Sequence, residues 1–313
     1  MSPTALEALQ RATAGHELLF PRTPTASVLA KADPDPRIRE ADIAFGQPDI
    51  AVIAGAHGLK WIHISSSGIT RYDNPSFRKQ MTDRGIPVTN SASVYCEPCA
   101  VHVFSFMLAQ SRNLPQALQT MTPNGSPVWN ELRKTSSTLR DEAVLILGYG
   151  AIGRRLTELL QPFGAKVVAY RRKARGDEDV PVITGDQLAD VLQDAHHVVN
   201  ILPDSSETRH FFDANRLAQL RPGAVFYNIG RGTTVDQDAL VQALRSGALR
   251  AAWLDVTDPE PLPDNHPLLK EPNCFITPHI AGGHPDETKS LVLHFAENFG
   301  RFLRNETLVD RVM

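Results

Sequence analysis

The chain has 313 residues, 42% of them hydrophobic and 21% charged, with a formal net charge of -3. That length accommodates two domains, each large enough to bury its own core. The slightly acidic balance argues against nucleic acid or an anionic membrane as the main partner. The start, Met1-Ser2-Pro3-Thr4-Ala5-Leu6-Glu7, lacks the basic and apolar runs of a signal peptide, and no apolar stretch approaches the ~20 residues of a membrane span. Three cysteines, Cys96, Cys99 and Cys274, are too few and too odd in number for a disulfide framework. A cytoplasmic protein is expected.

Along the chain, short β-like runs alternate with helical patterns, as a parallel sheet covered by helices requires. Glu17–Phe20, Ala41–Phe45 and Trp61–Ile64 read as the first strands. Pro98 to Leu108 is apolar and lacks turn residues, which predicts a long helix with Pro98 near its first position. Asn113–Arg140, with Pro115, Pro123, Asn124-Gly125 and Pro127, reads as an irregular boundary or arm. From Asp141 a second series begins, with strands at Val144–Leu147, Lys166–Tyr170, His197–Ile201, Ala224–Asn228, Ala251–Leu254 and Cys274–Ile276. After Pro285, Leu291, Phe295, Phe299 and Phe302 mark one face of an amphipathic helix.

The sharpest local motif is Gly148-Tyr149-Gly150-Ala151-Ile152-Gly153. At ordinary glycine usage this spacing arises by chance in roughly one such chain in ten, so its context decides. A hydrophobic strand, Val144–Leu147, leads straight in. A helical face of Ile152, Leu156, Leu159, Leu160 and Phe163 follows, and Gly164 closes it before the next strand. Strand, glycine turn, helix and strand are what a dinucleotide site needs: a tight turn whose backbone N–H groups and helix N-terminus meet a pyrophosphate.

The second strand of such a site commonly ends in an acid that binds the ribose hydroxyls. Here Tyr170 is followed by Arg171-Arg172-Lys173-Ala174-Arg175. Guanidinium groups at that position favour a 2′-phosphate, hence NADP(H), with NAD(H) as the lesser option.

Four further polar groups fall just past predicted strands, at the sheet edge where open α/β proteins bind ligands. Arg231 follows Val225–Asn228, Asp255 and Glu260 follow Ala251–Leu254, and His279 follows Phe275–Pro278. Together they offer a cation for a carboxylate, an imidazole to move a proton and a carboxylate to keep that imidazole charged.

With these residues in hand, the chain resembles the D-isomer-specific 2-hydroxyacid dehydrogenases, most densely from Val144 to Gly283. The motifs that carry the resemblance are the glycine turn, Ile201-Leu202-Pro203, Asn228-Ile229-Gly230-Arg231-Gly232, Leu254–Pro261 and Thr277-Pro278-His279-Ile280-Ala281-Gly282. The resemblance implies two doubly wound parallel-sheet domains, a flavodoxin-like substrate domain (1–112 and 285–313) and a Rossmann coenzyme domain (113–284), with the active site in the cleft between them. It implies Arg231, Glu260 and His279 as catalytic residues. Gly148, Gly150, Ala151, Ile152, Gly153, Arg171, Arg172, Leu202, Pro203, Ile229 and Asp255 fall at coenzyme-binding positions. Ser67 and Gly68 match the loop whose amides hold the substrate carboxylate, beside Arg231 and His279. It also implies a 2-oxoacid/2-hydroxyacid substrate, favouring glyoxylate or hydroxypyruvate, no metal, and a homodimer reached through the Asn113–Arg140 arm.

Three positions depart from the family pattern. Arg171 stands where an acid is frequent, Thr70 replaces a common aspartate, and Ala100-Val101 aligns with a common Ala-Glu pair. Cys96-Glu97-Pro98-Cys99 resembles a redox pair only superficially, because it opens a helix where no thiol is needed. Two other readings remain at this stage: a coenzyme-sensing regulatory protein on the same fold, or a dehydrogenase of another small anion such as phosphite. The chain stops at Met313, where a serine-biosynthetic phosphoglycerate dehydrogenase is expected to carry a regulatory domain.

Overall fold

The computed structural model describes residues 1–23, 30 and 33–313. The chain divides into two compact units, Met1–Tyr95 with Gly283–Met313, and Cys96–Gly282.

In the first unit, β1 (Ile43–Gly46), β2 (Trp61–Ile64) and β3 (Val88–Thr89) form a parallel sheet in that order. β2 is buried throughout, as a central strand covered on both faces must be. On one side Ala44, Ile53, Leu59, Ile62, Ile64, Phe77, Met81 and Val88 make a core. Trp61 anchors another with Ala5, Leu9, Val292, Phe295 and Phe299, which ties the helices Pro3–Ala12 and Glu287–Leu303 to this unit. The expected apolar face of the last helix is thus the buried one, with Leu291, Phe295 and Phe299 inside and Phe302 packed alongside. Glu17–Phe20, expected as a strand, forms none; Leu18 packs against the Trp61 core, while Leu19 and Phe20 are exposed.

The second unit holds seven parallel strands: β4 (Ala143–Leu147), β5 (Lys166–Tyr170), β6 (Val182–Ile183), β7 (His197–Asn200), β8 (Ala224–Asn228), β9 (Leu249–Leu254) and β10 (Cys274–Ile276). Their order in the sheet is β6-β5-β4-β7-β8-β9-β10. This is the Rossmann order with its reversal between β4 and β7, the point where such sheets bind dinucleotides. The fold is α/β with parallel sheets, as expected.

The helix Ala92–Ser111 corrects two expectations. It begins six residues before Pro98, which lies inside it rather than at its start. Its N-terminus is held by Asn90 Oδ1, which accepts from the Ala92 N–H, and by the carboxylate of Asp310, which accepts from the Ser93 N–H and hydroxyl. A cap supplied by Asp310, 217 residues away, leaves no local signal. The helix is also long and apolar enough to cross a membrane, contrary to the reading of the sequence. Its polar side chains are nevertheless engaged within the second unit: Glu97 with Arg155, His102 with Thr277, and Gln110 with the indole N–H of Trp253. That pattern marks a helix built into the fold. The stretch expected to be irregular contains two short helices, Leu114–Gln119 and Pro127–Thr135, each with proline in its first turn and the second capped by Ser126.

Candidate active site

The coenzyme turn grows out of β4. Gly148 has a φ of 94°, and a Cβ there would lie 2.9 Å from the Ile201 carbonyl oxygen, so both conformation and close approach demand glycine. Gly150 caps the helix Ala151–Leu160, and no side chain caps it in turn. A Cβ built on Gly150 would meet nothing within 4 Å. Open space before the first-turn N–H groups of Ala151, Ile152 and Gly153 is the arrangement a pyrophosphate needs. The residues present therefore fit a dinucleotide. Leu202, whose backbone N a Cβ on Gly148 would meet at 3.3 Å, is buried, as is Ile229, whereas Pro203 is exposed.

The basic loop departs from expectation. Arg171 does not stand unopposed: its guanidinium bonds Glu178, seven residues on, at 2.7 Å, with side-chain exposures of 12% and 5%. The sequence shows no acid immediately after β5, but the chain folds one back. Arg172 pairs with Glu207 instead, and both side chains are largely exposed, so that pair contributes little.

Arg231, Asp255, Glu260 and His279 all sit at the carboxyl ends of β8, β9 and β10. The loop of Arg231 is fixed by a buried amide network. Asn200 Nδ2 donates to Asn228 Oδ1, which also accepts the Gly230 N–H, while Asn228 Nδ2 donates to the Arg231 carbonyl. Gly232 is pressed so closely on Thr257 that a Cβ would lie 2.0 Å from its carbonyl. That approach brings the Arg231 loop against the segment carrying Glu260.

His279 Nδ1 lies 2.8 Å from Glu260 Oε2, and the two side chains are 31% and 38% exposed. Glu260 Oε1 accepts the Thr257 N–H at 3.0 Å. Burial by itself would raise the Glu260 carboxyl. The hydrogen bond and charge of His279, the Thr257 N–H and the Arg231 guanidinium outweigh it and hold the carboxyl below its ordinary value. Such a group adds stability above its unfolded value and loses it as pH falls through the folded one. Glu260 therefore stays ionised through neutral and mildly acidic pH.

Asp255 organises the loop that carries His279. Its Oδ1 accepts from the Thr277 hydroxyl at 2.6 Å and the Ile280 N–H at 2.9 Å, and its Oδ2 from the Ala281 N–H at 2.9 Å. The Asp255 carbonyl accepts the N–H of His279 itself, whose φ of 52° is uncommon for a residue with a side chain. His102, which the motifs do not single out, stands 3.6 Å from the same carboxylate and 3.2 Å from Thr277 Oγ1.

In the first unit, the Ser66 carbonyl accepts from the Ser91 N–H and the Ser67 carbonyl from Asn90 Nδ2 at 2.5 Å. Across a planar trans peptide the next N–H points the opposite way, so the Ser67 and Gly68 amides are both directed away from Asn90 and Ser91. Ser91 is itself bonded to buried His63, which burial and the neighbouring His294 push down to about 3 and keep neutral. Tyr72 is a core residue whose hydroxyl donates to Pro48, and Tyr95 is buried with its hydroxyl between the Ser65 carbonyl and Glu287.

Residues 104–281 match the sequence pattern of the D-isomer specific 2-hydroxyacid dehydrogenase NAD binding domain. This chain belongs to that family. It is an oxidoreductase that uses a nicotinamide coenzyme on a 2-hydroxyacid or 2-oxoacid. Among relatives, a human glyoxylate reductase/hydroxypyruvate reductase is 33% identical over 257 residues, which are 82% of this chain and 77% of that one. A dehydrogenase of the family from Xanthobacter autotrophicus Py2, solved with NADPH and MES, superposes with a TM-score of 0.81 at 27% identity over 100% of this chain and 95% of that one. An NADPH-dependent glyoxylate/hydroxypyruvate reductase from Sinorhizobium meliloti, solved with NADP and malonate, does so at 0.74 and 25% identity over 100% and 94%.

Proposed function

We propose that this enzyme reduces a small 2-oxoacid of the glyoxylate or hydroxypyruvate kind to its D-2-hydroxyacid, with NADPH preferred over NADH. The observation that carries the reading is the His279–Glu260 pair, about a third exposed and beside Arg231. Glu260 occupies Nδ1, so Nε2 is the nitrogen that gives a proton to the 2-oxo oxygen. Arg231 holds the substrate carboxylate as a planar fork and polarises the carbonyl. Ser67 and Gly68, in the first unit, supply further N–H donors to that carboxylate. Glu260 favours the imidazolium by opposite charge and hydrogen bond.

The coenzyme is assigned to Gly148, Gly150, Ala151, Ile152, Gly153, Arg171, Arg172, Leu202, Pro203, Ile229 and Asp255. When bound, the nicotinamide supplies the hydride for C2. The functional domains are assigned as 1–112 with 285–313 for substrate and 113–284 for coenzyme. The names of the human and Sinorhizobium relatives support the substrate class, and the NADPH complexes support the coenzyme. A cytoplasmic homodimer completes the proposal, with exposed Leu114, Leu118, Met121 and Val128 as the apolar surface of the arm.

Initial rates with glyoxylate, hydroxypyruvate and bulkier 2-oxoacids, each with NADPH and NADH, test this reading. Highest kcat/KM on the two small acids with NADPH is expected; equal use of NADH would refute the coenzyme preference. Light scattering that shows a monomer would refute the dimer.

A further inference from the structure

The loop after β5 already binds an anion of its own. Glu178 Oε1 accepts from the Arg171 guanidinium at 2.7 Å and from the Arg175 N–H at 2.8 Å, and Oε2 accepts the Gly176 N–H at 2.8 Å. The backbone N–H of Arg175 above all, then those of Gly176 and the guanidinium of Arg171, pull the carboxyl down to about 2 against the opposing effect of burial. Its neighbours lock the same loop in place. Asp179 accepts from the Tyr149 hydroxyl at 2.5 Å, and Asp177 pairs with Arg154 at 3.0 Å.

The position of this loop gives the pairing a consequence. Tyr170, immediately before Arg171, has its carbonyl bonded to the Gly148 N–H at 3.1 Å, so the loop starts at the glycine turn itself. A guanidinium with two converging amides is a donor set suited to any small oxyanion, whether carboxylate or phosphate. A 2′-phosphate carries more charge and more acceptor oxygens than a carboxylate, but Glu178 is tethered and so present at high effective concentration. Arg172, by contrast, is exposed and pairs with exposed Glu207.

We propose that Glu178 is a specificity-determining residue whose carboxylate competes with the 2′-phosphate of NADPH for Arg171 and the Arg175 and Gly176 amides. NADPH binds by exchanging its phosphate for this carboxylate. NADH has no anion to exchange and leaves Glu178 in place, where the carboxylate can accept from a ribose hydroxyl. The strength of the NADPH preference is then set by this internal competitor as well as by the number of arginines. This rests on the proposed NADPH preference.

The test is calorimetric titration of Glu178→Gln and the unmodified enzyme with NADPH, NADH and 2′,5′-ADP. The glutamine keeps an acceptor for the amides and removes the charge. The expected result is a Kd for NADPH and for 2′,5′-ADP lower by about fivefold to fiftyfold, with NADH unchanged or weaker, as loss of one charge-assisted competitor predicts. Glu178→Asp, which shortens the tether and keeps the charge, should fall between the two and serves if the glutamine variant does not fold. Equal weakening of all three ligands would assign Glu178 a purely structural part and overturn the proposal, as would unchanged affinities. Equal affinity of the unmodified enzyme for NADPH and NADH would sink the preference alone; the shift on removing the charge is read separately, as a change in their ratio.

Discussion

Two pairs of a basic side chain and a carboxylate sit at carboxyl ends of the same sheet and differ in exposure and in what holds them. Arg171–Glu178, after β5, is nearly buried, and the carboxylate is bonded by two backbone amides as well as the guanidinium. His279–Glu260, after β9 and β10, is about a third exposed, with one backbone amide on the carboxylate. The first pair joins an arginine, which keeps its proton at any working pH, to an acid held fast, so it can only be displaced. The second joins an acid to an imidazole with one ring nitrogen left over, so it can pass a proton and reset from solvent. On the proposed reading, burial and proton inventory together separate a binding lock from a catalytic couple, although each joins one basic side chain to one carboxylate.

The largest expected effect falls on the exposed pair. His279→Ala removes the proposed proton donor and should lower kcat about a thousandfold, within the range of general acid catalysis, while NADPH still titrates with its original Kd. A variant that loses coenzyme binding in parallel would show that His279 supports the fold of its loop rather than the proton step. Arg231→Lys should come next, with kcat/KM reduced about tenfold to a hundredfold because a point charge cannot replace the fork. A change in kcat/KM of less than threefold would show that Arg231 does not hold the carboxylate.

The smallest effect belongs to the exposed arginine of the other region. Arg172→Ala should raise the KM for NADPH about threefold to tenfold, leave NADH unaffected, and lose this difference as salt is added. An effect on both coenzymes, or one insensitive to salt, would remove Arg172 from the 2′-phosphate site.

Much of this was legible in the sequence because it is local. β4, the glycine turn and the helix after it are contiguous, so residues 143–160 announce themselves by period and glycine spacing. The same holds for β5, β8 and β10, long enough and apolar enough to be delimited by turn residues. What stayed hidden depends on chain return. The two-residue strands Val88–Thr89 and Val182–Ile183 have no period to detect. Glu178 lies in a polar stretch with no sign that it folds back on Arg171, and Asp310 gives no hint that it caps a helix starting at Ala92. The sequence places Asp255 just past a strand, yet its part in fixing the Thr277–Ala281 loop appears only in the hydrogen bonds.

The claim that His279 and Glu260 form one proton-transferring couple is tested most directly by the pH dependence of kcat/KM for reduction of glyoxylate, compared between the unmodified enzyme and Glu260→Gln. The carboxyl is held below its ordinary value, so it keeps its charge beside the imidazole at neutral pH in the unmodified enzyme. Without its charge, the neutral rate should fall by about tenfold while the acid limb survives, moving the descending limb to lower pH. A Glu260→Gln profile that superposes on the unmodified enzyme after scaling by a constant would contradict the couple, because the carboxylate would then have no influence on the proton that is transferred.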